Sequence, residues 1–464
     1  MDLNPVLERF AQRSPLPVMA RAVLERCLNA QELDAWFEQV AQAQYTKKLL
    51  FSSVYELMTQ VVLRQSGSVR AAWLAGEGKT GVSLAAVYDK LNGLELGTSA
   101  ALVAYSAGRA EELIAQWPQG RRAGLLEGVP VRMLDGNCLD GRQHRLRVTR
   151  ASTAAPLPGK ALAVFDPALE TITTLLPCED GHTQERALLH QVLPQVGAGE
   201  VWVADRNFCT TGFLEALAER GAYSLVREHG LLRCTPLEAM RPVPLQGAGV
   251  RALSEQRVQL KPHRDGRPGL ELRRIRIELE QPTRHGETEV YLLSTVAAEV
   301  ADAATLARLY RQRWSIERAF LHLTTQLRCE VHTLSYPPAA LFALACAVVA
   351  FNVLAVLKAA LRAAHGAEVE QALSSHAMAS DLRNMGQSLE IIVDAQDWQV
   401  FRLASLPAMA AWLLDQARRV SLRRYAKAPA RKKPPKPPVK RLHDPKKPHV
   451  ALSRLLAAQH RAAP

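Results

Sequence analysis

Cysteine is scarce and unpatterned. Seven residues, an odd number without regular spacing, exclude a disulfide framework and fit a reducing cytoplasm. The opening MDLNPVLERF carries an early acid and no apolar stretch of useful length, so no secretory signal is read there. Long apolar runs are limited to PPAALFALACAVVAFNVLAVLKAAL (337–361), and Asn352 interrupts it. One such run, broken by a carboxamide, is expected to be a buried core helix beside 303–327 and not a membrane span. Internal repeats are absent. So is any Gly-x-Ser-x-Gly or Cys-His-Asp arrangement, which excludes a hydrolase built on a protein nucleophile. AGEGKTG (75–81) has Trp73 where a phosphate-binding loop needs its first glycine, and no strand precedes it; no nucleotide cofactor is expected. Cys329 and His332 have metal-like spacing but no second pair nearby, which argues against zinc.

Acids are nearly missing from one region. Residues 418–447 hold thirteen Lys or Arg and a single acid, Asp444, giving 13 − 1 = +12 of the chain's formal +13. Everything else is close to neutral. The tract PARKKPPKPPVKRLHDPKKP is proline-rich, so an extended and poorly packed segment is expected, suited to lie along nucleic-acid phosphates.

What is there reads as five pieces. Residues 1–116 show apolar groups at helical spacing, as in AVLERCLNAQELDAWFEQVAQ. From 117 to 221 short apolar runs closed by Asp, Gly, Pro or Asn read as strands: VPVRMLDGN, ALAVFDP, ETITTLLP, EVWVADRN. A helix follows in TTGFLEALAERG. Residues 222–300 return to β character, with HRDGRPG (263–269) as a hairpin loop. Residues 301–417 carry two long helices, 303–327 and 338–365, and 418–464 form the basic tail. The fold class is α/β with a helical front and a β-rich insertion.

Two strands deliver an acid into a loop, Asp135 after VRML and Asp205 after VWVA. Acids brought together at the ends of adjacent strands repel, and a divalent cation is the usual counter-charge. Asp140, Asp166 and Glu179-Asp180 compete with Asp135 for that place on spacing alone. Downstream, YRQRWSIERAF (310–320) sets Tyr310, Arg313 and Glu317 at helical steps of three and four, on the flank of an apolar stripe of Ile316, Phe320, Leu323 and Leu327. Glu317 would complete a three-acid site for in-line phosphoryl displacement.

From QYTKKLLFS to DPKKPH the chain resembles bacterial DDE transposases of the insertion sequence 4 family. The family signature is Tyr, two residues, Arg, three residues, Glu, six residues, Lys. Tyr310, Arg313 and Glu317 match it, and Thr324 stands at the Lys position. LDGN around Asp135 and WVADRNF around Asp205 resemble the first and second acid motifs. The resemblance implies a ribonuclease H-like catalytic core with a β-rich insertion between the second Asp and the Glu, preceded by a helical DNA-binding domain.

It also implies Asp135, Asp205 and Glu317 as catalytic ligands of two Mg²⁺ ions, with Mn²⁺ able to substitute. Tyr310 and Arg313 are expected to hold DNA phosphates, since a guanidinium can grip two phosphate oxygens. Arg206, Thr324, Arg328 one turn further along the same helix, and Arg423, Arg424, Lys432 and Lys433 in the tail are the other expected DNA contacts. Trp314 is expected in the core. The insertion is a departure, for 222–297 contains no Trp and only Tyr223 and Tyr291 as phenols. The implied partner is double-stranded DNA, as terminal inverted repeats and target, held by a homodimer in the bacterial cytoplasm and on the nucleoid when bound. Two alternatives stay open: a non-catalytic DNA-binding derivative, and a nuclease that cuts without joining.

Overall fold

The computed structural model describes residues 3–44, 48–76, 80–244, 249–283, 286–427 and 449–462. Its N-terminal part is helical as expected: α1 (Pro5–Arg13), α2 (Pro15–Leu28), α3 (Ala30–Val40), α4 (Phe51–Val62), α5 (Val69–Ala75), α6 (Leu84–Asn92) and α7 (Leu96–Ile114). Asn4, Asn29, Ser68 and Ser83 each cap a following helix by accepting a backbone N–H in the first turn.

The next strands are β1 (Val131–Cys138), β2 (Ala155–Leu157), β3 (Lys160–Asp166), β4 (Thr171–Cys178) and β5 (Val201–Ala204), with short helices α8 (Arg147–Arg150) and α9 (Leu189–Val192) between them. Helix α10 (Thr211–Glu219) then leads to β6 (Tyr223–Arg227). Strands β1, β3 and β4 pair antiparallel, while β5 joins β1 in parallel and β6 joins β5 in parallel. The order β4-β3-β1-β5-β6 is the ribonuclease H-like arrangement. Central β5 is buried at all four residues, as a parallel strand covered on both faces must be.

The β-rich segment holds β7 (Cys234–Pro236), β8 (Arg241–Pro242), β9 (Val250–Leu260), β10 (Glu271–Leu279) and β11 (Glu289–Ser294). It extends the core sheet: β11 pairs with β6, and the order continues β11-β10-β9-β7, with β8 also on β9. Residues 223–227, assigned from sequence to the insertion, therefore make the last parallel pair of the core. The 263–269 loop joins β9 to β10 as expected.

The remaining helices are α11 (Ala303–Gln312), α12 (Trp314–Thr325), α13 (Pro337–His365), α14 (Val369–Ala372), α15 (Ser375–Ile392), α16 (Gln399–Leu403), α17 (Leu406–Arg419) and, after the basic tract, α18 (Leu452–Ala462). The single helix expected over 303–327 is broken at Arg313, where Arg313 N–H bonds Tyr310 O (3.0 Å) and Ile316 N–H bonds Arg313 O (3.1 Å). These i→i−3 bonds tighten the chain by a 3₁₀-type step.

Helix α13 is long and apolar enough to cross a membrane, yet nearly its whole length is buried against α4, α7, α12, α17 and β4. Its one internal carboxamide has a structural use. Asn352 accepts from Ile172 N–H (2.9 Å) and donates to Ile172 O (3.0 Å) on β4, the edge strand, where a register shift interrupts pairing with β3. Side-chain atoms thus complete a ladder that the backbone leaves open. Gly366 ends α13 in the left-handed region at φ 89°.

The tail departs from expectation. Residues 449–451 form β12, which pairs in parallel with β2, and α18 follows, with Arg454 bound to Asp180 at 2.7 Å. The described parts of 418–464, residues 418–427 and 449–462, are therefore folded, and the expected extended tract falls outside the described residues.

Candidate active site

Register places the two aspartates. Leu134 on β1 is opposite Ala204 on parallel β5, so Asp135 and Asp205 take the next matched positions on neighbouring stretches of chain, about 4.8 Å apart across the sheet; β5 stops before Asp205, whereas β1, expected to close at Asp135, runs on to Cys138 because β3 keeps pairing with it. Helix α12 packs on β1, and Ser315 Oγ donates to Met133 Sδ at 3.1 Å. That contact sets Arg313 over Asp135. The guanidinium donates to Asp135 Oδ2 (3.0 Å) and, from its other terminal nitrogen, to Glu317 Oε1 (2.7 Å). Arg313 thereby bridges an acid of the sheet to the acid of the helix.

Electrostatics ties in the third acid. The Asp135 carboxyl is pushed up to about 6, chiefly by burial; Arg313 and the Gly136 N–H oppose this, while Asp205 and Glu317 reinforce it. The three carboxylates thus sense one another across a partly desolvated space. The other candidates are elsewhere: Asp166 accepts from the N–H groups of Ala168 and Leu169 and pairs with Arg132, Asp180 binds Arg454, and Asp140 is exposed.

A fourth carboxylate, unread in the sequence, lies here. Glu185 accepts from Asn207 Nδ2 at 2.6 Å, and its carboxylate rests on Gly136 so closely that a Cβ there would come within 2.1 Å of Oε1. Glycine is required at 136 for this approach. Glu185 therefore links the stretch of β1 that follows Asp135 to the loop after Asp205. Its own neighbourhood, GHTQERALL being an irregular connection, offers no periodic or motif signal.

The signature residues are distributed unequally. Tyr310 is 9% exposed, with its ring 5.9 Å from the Arg313 guanidinium carbon. Burial pushes its phenol up to about 12. Trp314, expected in the core, is 65% exposed instead; the tightened step at Arg313 moves it off the apolar stripe. Thr324 turns its hydroxyl back onto Phe320 O and Leu321 O of its own helix. Arg328 is not one turn further along that helix, because α12 stops at Thr325; its guanidinium donates to Gly67 O at 2.6 Å. A cation that does reach this position is Arg64, which donates to Thr324 O (3.2 Å) and Thr325 O (3.4 Å) at the carboxyl end of α12. Arg64 came from a region read only as helix.

Arg206 is exposed and pairs with Glu287 (3.3 Å), which also binds Arg227 at 2.5 Å. These groups, with Arg233, Arg274 and Tyr291, line an open cavity of about 770 Å³ beside the acids. In the tail, Arg423 is exposed, Arg424 is held by Asp381 (2.5 Å), and Lys432 and Lys433 lie outside the described residues.

In donor chemistry the acids suit a hard divalent cation, for all are carboxylate oxygens. As they stand, no three His, Cys, Asp or Glu among the described residues converge to hold an ion, since Arg313 stands between two of them.

Comparison with known proteins bears on part of the chain. No curated protein matches the chain. A cryo-EM structure of the piggyBac transposase synaptic complex with hairpin DNA aligns at TM-score 0.36 and 10% identity, covering 86% of this chain and 84% of that one. Residues 156–353 match the Transposase DDE domain family, a span that includes Asp205 and Glu317 and begins after Asp135. Over that span the chain is similar to a transposase catalytic domain, which supports a DDE transposase.

Proposed function

We propose that the protein is a cut-and-paste transposase of the insertion sequence 4 type, cleaving DNA at the ends of its element and joining them to a target. The observation that carries this reading is the placement of Asp135 within β1 beside Asp205 just past the end of parallel β5, with Glu317 tied to Asp135 through Arg313. Asp135, Asp205 and Glu317 would hold two Mg²⁺ ions, or Mn²⁺. Those ions would supply charge neutralisation and activation for attack on the scissile phosphate.

The chain's own residues account for the rest. Arg313 keeps Asp135 and Glu317 together while the site is free of DNA, and its fixed charge suits it to turn to a phosphate afterwards. Tyr310 buttresses that guanidinium. Glu185, through Asn207, holds the Asp205 loop against Gly136. Trp314, exposed beside Arg313, offers a flat face on which a base can stack. Arg206 and the other cations of the neighbouring cavity draw in the strand. Double-stranded terminal repeats, a homodimer to match two identical ends, and a bacterial cytoplasmic location belong to the same proposal.

The test is strand joining. Precleaved element ends carrying a labelled 3′-hydroxyl are incubated with the protein, a target plasmid and Mg²⁺. Covalent transfer of label to the plasmid supports a transposase; cleavage of uncut ends without transfer would make it a nuclease.

A further inference from the structure

The turn that ends α4 carries an unexpected residue. Gln65 N–H bonds Gln60 O (2.9 Å) and Arg64 N–H bonds Val61 O (3.1 Å), which closes the helix as a Schellman motif. Arg64 is left-handed there, at φ 61°. Glycine, sometimes asparagine, is the usual residue at this place, because a Cβ crowds the backbone in that region. The reason for an arginine must therefore lie in its side chain.

That side chain reaches the helix of Glu317. One terminal nitrogen, Nη2, donates to Thr324 O (3.2 Å), Thr325 O (3.4 Å) and Leu327 O (3.5 Å), where α12 stops. Long bonds shared by one nitrogen hold the group loosely. The residue is exposed, Nε and Nη1 have no partner among the described residues, and no carboxylate among them pairs with it. Nor does the junction need Arg64 to stay closed: Arg328 N–H bonds Val62 O (2.8 Å) and Arg328 Nη1 bonds Gly67 O (2.6 Å), joining the same two chain exits. Its place gives the charge a use. Thr324 lies seven residues past Glu317, about 10 Å along the helix at roughly 1.5 Å per residue. The carbonyls of a helix carboxyl end carry partial negative charge, which would repel a DNA strand running on from Glu317. Arg64 covers those carbonyls and makes the local charge positive.

We propose that Arg64 is a substrate-positioning contact that grips a backbone phosphate of the DNA strand about three nucleotide steps from the phosphate at Glu317. Nε and Nη1, side by side on the planar guanidinium, are the donors. The N-terminal helices thereby hold the strand in the cleavage site directly. The proposal rests on the transposase reading, which supplies the strand that passes Glu317.

The experiment uses the full chain and a duplex carrying the element's native end. Binding is followed by fluorescence anisotropy from about 50 to 200 mM salt, and cleavage of the same duplex in Mg²⁺, for the native protein, Arg64→Gly and Arg64→Gly/Thr324→Lys. Glycine suits the left-handed turn, so Arg64→Gly should melt no lower than the native chain. Its log K against log salt should be shallower by about 0.9, one phosphate contact, so that affinity falls about 3.5-fold less across that range. Adding Thr324→Lys returns a cation to the same helix end and should restore the slope. A side chain that only capped α12 would lower the melting temperature when removed and leave the slope unchanged. Cleavage by the native protein with an unaltered slope in Arg64→Gly, or with no restoration by Thr324→Lys, would overturn the proposal and leave the transposase reading standing. A shallower, restorable slope in a chain that never cleaves would keep Arg64 as a phosphate contact and overturn the transposase reading. Absence of any binding to the end would overturn both.

Discussion

Replacing Asn352 by leucine tests whether the break in the apolar run is a defect or a device. Leucine would make α13 a more continuous hydrophobic helix, and a bilayer span or an indifferent core site should welcome it. The structure argues the reverse. Asn352 and Ile172 are both buried, and the carboxamide satisfies both the N–H and the C=O of Ile172. Without it, two buried backbone groups are orphaned at roughly 1–3 kcal/mol each. The added apolar burial returns about 1–2 kcal/mol. A net loss of about 2–4 kcal/mol follows, concentrated at β4. Hydrogen exchange of peptides spanning 171–178 reads this directly, since each 1.4 kcal/mol is tenfold and exchange there should quicken by about 30- to 700-fold. Unchanged exchange, or a higher melting temperature in Asn352→Leu, would refute the reasoning.

Other expectations follow from named groups. Asp135→Ala, Asp205→Ala and Glu317→Ala should each lower DNA cleavage by roughly 10³-fold or more while end binding, measured by gel shift, stays within a few-fold. Arg362→Met should destabilise by about 3–5 kcal/mol, because Glu170 would remain buried without its main partner; thermal melts check it. Burial alone would raise the Glu170 carboxyl, but Lys358, Arg362 and Arg122 outweigh it and hold it at about 2. The folded value lies below the ordinary 4.5, so this pairing stabilises fully above pH 4.5 and is lost as pH falls toward 2. Acid denaturation of the native chain should show that loss, and Arg362→Met should flatten it. Trp314→Phe should remove most of the fluorescence quenching caused by element-end DNA, and Trp314→Ala should weaken end binding by about 1–3 kcal/mol if a base stacks there.

The place of Asp205 was legible because a closing Asp marks where the apolar run of β5 stops; Asp135 was misread as a strand end, since β1 continues three residues past it, and the register of the parallel pair is what sets it beside Asp205. The helix signature was legible for Tyr310, Arg313 and Glu317 because spacing survives a tightened step. The position of Trp314 did not survive it: one 3₁₀-type turn at Arg313 carries the indole from the expected core side into solvent. Arg328 was misplaced for a related reason, since no Gly or Pro in the sequence marks the end of α12 at Thr325. Glu185 could not be found, because it reaches Gly136 and Asn207 through tertiary packing of an irregular segment. Strand β6 read as insertion because its partner, β5, lies across a helix, and composition carries no trace of pairing. The return of 449–462 to β2 was hidden behind a proline- and lysine-rich tract whose composition dominates its surroundings.

The central claim is that three acids on two strands and one helix cut DNA. The most direct measurement is excision: purified protein with a plasmid carrying its gene and native flanks, in Mg²⁺ or Mn²⁺, beside Glu317→Ala. The account predicts metal-dependent release of the flanked segment by the native protein and none by the variant. Salt-sensitive binding without release, or equal release by Glu317→Ala, would contradict it.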